Sequence, residues 1–172
     1  MFQPHYPPHL YIDNEIYFVT ARTVDTNHYF DTENKKQLLL DIIKKSCQRC
    51  GAELIAWVVL DNHYHILFRL REGERLAKLM QYINGSSAFQ LNRMENKRKR
   101  KIWFNYWDTC IRDEDGFYTR LNYIHHNPRK HGYVEEIQDL ASYPFSSHKD
   151  FVDRYGVEWM EDCFSKYPII GA

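Results

Sequence analysis

Two apolar, β-rich runs, "ELIAWVVL" (53–60) and "HYHILFRL" (63–70), stand on either side of the turn-forming pair Asp61 and Asn62. That arrangement predicts an antiparallel hairpin and constrains the fold more than any other feature of the chain. Side chains alternate along a strand, so His63, His65, Leu67 and Arg69 share one face, while Tyr64, Ile66, Phe68 and Leu70 share the other. Two imidazoles therefore occupy one face, two residues apart, where Val or Ile would pack better.

The flanking segments supply the remaining elements. "EIYFVTART" (15–23) has the bias of a strand. Thr32 opens a helix to about Cys50, with Leu38, Leu39, Ile42 and Ile43 on one face and Gly51 as its stop. Glu74 to about Asn96 predicts a second long helix, with Leu76, Leu79, Met80, Ile83 and Leu91 facing inward. "KIWFNYWDTCIR" (101–112) returns to strand. Asp113 then starts a third helix, packed through Phe117, Leu121 and Ile124 and expected to end at Pro128. The order β-α-β-β-α-β-α points to an α+β fold, a ferredoxin-like antiparallel sheet with helices packed on it. The 172 residues fit one domain, 1–172, with 135–172 as a C-terminal extension.

Hydrophobic residues at 44% and aromatics at 16% exclude a disordered chain. No segment approaches the roughly 18 consecutive apolar residues of a membrane span. The stretch "MFQPHYPPHLYID" lacks the features of a signal peptide, so a cytoplasmic protein with no membrane partner is expected. Cys47, Cys50, Cys110 and Cys163 fit that compartment as reduced thiols. Cys47 and Cys50 have CxxC spacing, but no second pair completes a zinc site.

Net charge is zero, yet its distribution is uneven. "RMENKRKRK" (93–101) carries six basic residues and one acid, directly before the aromatic "IWFNYW". Such a cluster neutralises phosphates while neighbouring rings stack unpaired bases. A solvated loop ahead of a half-buried strand has the same composition.

Neutral imidazoles two residues apart can converge on one cation, or serve as sheet histidines bonded to their neighbours. In "YIHHNP", Tyr123 and Asn127 are spaced i, i+4 and share a helix face, with Thr119 one turn earlier. An amide oxygen from Asn127 could complete a His, His, Asn set beside the Tyr123 phenol. A sheet-covering tyrosine and an asparagine C-cap fit the same spacing. Phenol titrates near 10 in water, so attack on a phosphate needs a cation that polarises the phosphate and stabilises the leaving oxygen.

"LDNHYHILF" resembles the His-hydrophobic-His motif of the HUH endonucleases. "LNYIHHNPRKHGYV" resembles the tyrosine helix of the REP-associated branch of the single-tyrosine, IS200-like transposases. With "WDTCIRDEDGF" and "SYPFSSHKDF", the resemblance runs from about Tyr17 to Phe151. It implies that His63, His65 and Asn127 hold a divalent metal, Mg²⁺ or Mn²⁺, and that Tyr123 attacks a DNA phosphate. Single-stranded DNA would be cut through a covalent 5′-phosphotyrosine at palindromes that fold as hairpins. Arg93, Lys97, Arg98, Lys99, Arg100 and Lys101 become candidates for DNA contacts in the basic loop, and Arg129 and Lys130 beside the nucleophile. Trp103, Tyr106 and Trp107 are candidates to stack bases, with one of them expected in the core.

The sequence also departs from the family pattern. Leu60 and Asp61 stand where Met-Pro is common before Asn62, the basic run replaces a glycine ahead of the last strand, and the segment from Trp103 to Asp108 is one residue short. Two other classes share these motifs: a non-catalytic hairpin-DNA or RNA binder, and a metal-dependent nuclease that activates water. A monomer is expected, rather than a homodimer with the tyrosine supplied across the interface.

Overall fold

A computed structural model describes residues 14–169. Four strands, β1 (Glu15–Thr23), β2 (Ala52–Val59), β3 (His63–Leu70) and β4 (Trp103–Cys110), form one sheet in the order β2-β3-β1-β4. All neighbouring pairs are antiparallel. This is the ferredoxin-like order expected from a hairpin set between two helical crossovers.

Helices α1 (Glu33–Arg49) and α2 (Leu76–Met94) cover one face of the sheet. Tyr64 points into that layer, where its hydroxyl donates to Asn84 Oδ1 at 2.7 Å. Helix α3 (Glu114–Lys130) covers the face that carries the histidines. Thr32 caps α1 by accepting from the Lys35 amide, and Asp113 caps α3 by accepting from the Gly116 amide at 2.6 Å.

The third helix does not stop at Pro128. It runs through the proline to Lys130 and ends in a Schellman turn. The Gly132 amide donates to the Arg129 carbonyl at 3.1 Å, and the Tyr133 amide to the Pro128 carbonyl at 2.8 Å. Gly132, with φ +78°, supplies the left-handed residue that this turn requires. Pro128 lacks only the amide that would have bonded the Ile124 carbonyl, a loss the last turn of a buried helix tolerates. The extra turn puts Asn127 inside the helix rather than at its cap.

Residues after α3 close the outer edge of β2. The Val59 amide donates to the Phe145 carbonyl and the Ser147 amide to the Trp57 carbonyl, each at 2.9 Å. Helices α4 (His148–Tyr155) and α5 (Val157–Lys166) follow and pack behind α3. Asn122 reaches from α3 to the carbonyls of Cys163 and Tyr167 at 2.8 and 2.9 Å. Among the described residues, no helix is long and apolar enough to cross a membrane.

Candidate active site

Strand pairing determines what surrounds the histidines. Arg22 lies opposite His63 and Thr20 opposite His65, while Trp107 lies opposite Thr20 on the far side of β1. Directly opposed residues share a face, so these side chains stand on the histidine side of the sheet. Helix α3 brings Tyr123 to the same place, with its ring centroid 5.0 Å from that of His65. His63, His65, Arg22, Trp107, Tyr123 and Lys130 line an open depression of about 340 Å³. A larger groove, about 510 Å³, opens between α3 and α5. Its lining includes neither an imidazole nor an unpartnered buried polar atom, whereas the depression at the sheet has both.

The hydrogen bonds around His63 fix its tautomer. Asn62 donates its Nδ2–H to the Thr26 carbonyl at 3.1 Å, which turns its Oδ1 toward His63 Nδ1 at 2.7 Å. Nδ1 must then be the protonated nitrogen, and Nε2 carries a lone pair. Asn127 donates its Nδ2–H to the Tyr123 carbonyl, which leaves its Oδ1 facing His63 Nε2 at 3.3 Å. Two acceptors held this close repel each other unless a cation or a proton lies between them.

His65 repeats the pattern. Its Nδ1 meets Thr20 Oγ1 at 2.6 Å, and its Nε2 is buried without a hydrogen-bond partner. With Nδ1–H donating to Thr20, Nε2 presents a second unused lone pair. Burial, reinforced by His131 nearby, pushes the His63 imidazole down to about 4. Burial and the adjacent His63 hold His65 well below the usual histidine range. Both rings are therefore neutral at pH 7, the form that binds a metal.

Two neutral imidazoles, one of them with an orphaned buried nitrogen, and an amide oxygen fit a divalent cation, with outer hydrogen bonds to Asn62 and Thr20 of the kind that orient metal-bound histidines. No group of three or more His, Cys, Asp or Glu forms a metal cluster among the described residues; the third donor beside the two imidazoles is the Asn127 amide oxygen.

The turn ahead of His63 is fastened on three sides. Asp61 pairs with Lys36 at 2.7 Å and with His28 at 3.0 Å, and its amide donates to the Tyr133 hydroxyl oxygen at 3.2 Å. Burial pushes the Asp61 carboxyl up, but hydrogen bonds from Lys36, His28 and Tyr133 outweigh it and hold the group below its ordinary value. The unusual Asp61 thus ties the hairpin to α1 and to the segment after α3.

The structure brings some of the expected DNA contacts to this site and removes others. Lys130 places its ammonium 5.0 Å from the Tyr123 ring centroid. Arg129 is turned aside and donates to the Glu135 carbonyl at 3.2 Å. Arg93, Lys97, Arg98, Lys99 and Lys101 are exposed at the end of the sheet where His63 lies. There the Thr23 amide bonds the Asn62 carbonyl and the Val24 amide bonds the Ile102 carbonyl.

Arg100 is committed internally, paired with Glu95 and set over the Tyr29 ring at 4.8 Å. Trp103 is a correction to the sequence reading: it is buried in the α2 layer and donates its indole N–H to Ser87 at 2.9 Å, so it has no face to offer a base. Tyr106 pairs with Ala21 and lies on that helix-covered side as well. Thr20 and Asn62 were not legible as functional. Asn62 read as a turn residue, and the role of Thr20 depends on a cross-strand register that local pattern does not encode.

The chain matches the family described as Transposase IS200 like over residues 13–127, and it belongs to that family. Its relatives within the family carry a narrower description. A REP-associated tyrosine transposase of Escherichia coli (strain K12) is 28% identical over 162 residues, covering 88% of each chain. A Haemophilus influenzae protein provisionally assigned the same description is 31% identical over 156 residues, covering 84% of this chain and 86% of that protein. A solved structure of a REP-associated tyrosine transposase bound to a REP hairpin superposes with a TM-score of 0.70 at 26% identity, over 88% of this chain and 87% of that one.

Proposed function

We propose that the protein is a metal-dependent single-stranded DNA endonuclease and strand transferase that cuts through a 5′-phosphotyrosine on Tyr123, at palindromic repeats that fold as hairpins. The observation that carries this reading is the Tyr123 ring 5.0 Å from His65, in the depression where Asn127 faces His63 at 3.3 Å. Family membership and the hairpin bound by the structural neighbour support the class of substrate.

In this mechanism the Tyr123 phenol gives up its proton and attacks the scissile phosphorus. One P–O bond to tyrosine forms as the P–O3′ bond breaks, and the 3′ oxygen takes up a proton. Bond energy is conserved, so the free 3′-OH can reverse the step or another 3′-OH can replace it. His63, His65 and Asn127 would hold Mg²⁺ or Mn²⁺, which when bound supplies Lewis-acid charge at the phosphate. Lys130 offsets negative charge beside the nucleophile, and the rigid α3 backbone holds the phenol in position. Lys97, Arg98, Lys99 and Lys101 bind the phosphates of the hairpin arm.

Nucleophile and ligands come from one chain, so we assign the activity to a monomer. The chain works as one unit, with 135–172 as an extension whose described residues, 135–169, buttress the tyrosine helix. Its four free cysteines suit the reducing cytoplasm.

A covalent-capture assay tests the proposal. Protein and Mn²⁺ or Mg²⁺ are incubated with 3′-labelled single-stranded hairpin oligonucleotides and resolved on a denaturing gel beside Tyr123→Phe. The expected result is a labelled, SDS-resistant band that requires metal and is absent from the variant. Cleavage that survives in Tyr123→Phe would make water the nucleophile. Hairpin retention with neither cleavage nor adduct would make the protein a binder.

A further inference from the structure

The strand irregularity beside the site is a bulge at Phe104. Between β1 and β4 the register steps from Arg22 opposite Asn105 to Thr23 opposite Trp103, which leaves Phe104 without a partner. Residues three apart on a regular strand face opposite sides, and a bulge re-aims side chains so that Phe104 and Trp107 share one side. Their ring centroids are 6.4 Å apart. Arg22 completes the group, with its guanidinium carbon 5.3 Å from the Phe104 centroid and 5.5 Å from the Trp107 centroid. Among the described residues no carboxylate pairs with Arg22.

Phe104 is 50% exposed and Trp107 48%. Two large rings left half in water invite a covering partner. The patch is continuous with the candidate active site, because Arg22 and Trp107 line the same depression as His63, His65 and Tyr123. A flat apolar face beside an unpaired cation complements an unpaired nucleobase and its phosphate.

We infer that Arg22, Phe104 and Trp107 form a stacking platform for the unpaired bases next to the scissile phosphate, and so set where along the strand the cut falls. The inference rests on the reading of this face as the one that meets single-stranded DNA. One base lies on the exposed rings while Arg22 meets the adjoining phosphate.

The test is a binding measurement in EDTA, where no cleavage occurs. Fluorescence anisotropy compares fluorescein-labelled dT12 with an abasic strand of the same sugar-phosphate length. The native protein should bind dT12 more tightly than the abasic strand. Phe104→Ala with Trp107→Ala should weaken dT12 binding about tenfold or more and leave abasic binding within about twofold, as expected for loss of base stacking alone. Trp107→Phe should retain most of the preference, and circular dichroism should show both variants folded, since the rings are exposed. No base preference in the native protein, or a preference that survives in the double variant, overturns the platform. The readout does not involve Tyr123, so absence of the covalent adduct would sink the nuclease reading, and with it the placement of the cut, while base stacking on Arg22, Phe104 and Trp107 would stand or fall on the anisotropy alone.

Discussion

Helix α3 has a histidine pair on each side, and the two pairs are nearly the same in shape. In front, the His63 and His65 centroids are 5.1 Å apart at 76°. Behind, those of His125 and His148 are 5.3 Å apart at 74°. His65, His125 and His148 are buried and His63 is half-buried; one ring nitrogen in front and two behind are buried without partners. Their surroundings differ. The front pair meets an amide oxygen and opens on a depression that contains Tyr123. The back pair meets the Ser147 hydroxyl at 2.8 Å and the rings of Phe151 and Phe164. Proximity of two imidazoles is thus common to a candidate centre and to packing. Convergence of unused lone pairs, with access from solvent, separates them.

The largest effect that would sharpen this contrast is on chemistry. His63→Ala should abolish the covalent adduct and weaken Mn²⁺ binding, measured calorimetrically, by more than the roughly 10- to 100-fold typical of outer-shell partners. His148→Ala should leave the Mn²⁺ affinity of the folded protein within about twofold, and an equal loss in both variants would break the contrast. The back pair should act on stability instead: His125→Ala is expected to lower the free energy of unfolding by about 2–4 kcal/mol in urea titrations, through a cavity and a lost buried hydrogen bond.

A smaller effect is expected at Thr20, where Thr20→Val removes the partner of His65 Nδ1 and should cost roughly 10- to 100-fold in Mn²⁺ affinity with the fold intact. Ser147→Ala, its counterpart behind the helix, should cost none.

The smallest effect is a pH slope. Burial lowers His148 to about 4, against about 6.5 for an unfolded histidine. Between those values the unfolded chain takes up a proton that the folded chain refuses. Stability should therefore fall as pH drops from about 6.5 to 4, by at most roughly 1.4 kcal/mol per pH unit for this group. Urea titrations across that window should give a shallower slope for His148→Leu.

Local pattern revealed the front of the molecule well. Alternation put His63 and His65 on one face, i, i+4 spacing put Tyr123 with Asn127, and Thr32 and Asp113 marked the helix starts. The remainder depends on partners distant in sequence. Whether Pro128 ends α3 is decided by Gly132 and by packing that makes the missing hydrogen bond affordable. Thr20 acquires its role only when β1 is registered against β3. Trp103 and Trp107 belong to one aromatic run, yet the Phe104 bulge sends them to opposite sides of the sheet. His125 read as part of a motif, and its commitment to Ser147 became visible only once the chain after α3 was laid along β2.

One turn of helix separates Tyr123 from Asn127, and the Asn127 side chain is tied back to the Tyr123 carbonyl. The Tyr123 backbone and the Asn127 amide therefore move together. In the proposed reaction, a shift of this helix segment that carried a DNA end on Tyr123 out of the depression would also draw Asn127 away from His63. Departure of the tethered strand and dismantling of the metal set would be a single motion. A covalent intermediate on such a helix is held in register for resealing or exchange, and its escape as a broken end is disfavoured by the same geometry that created it.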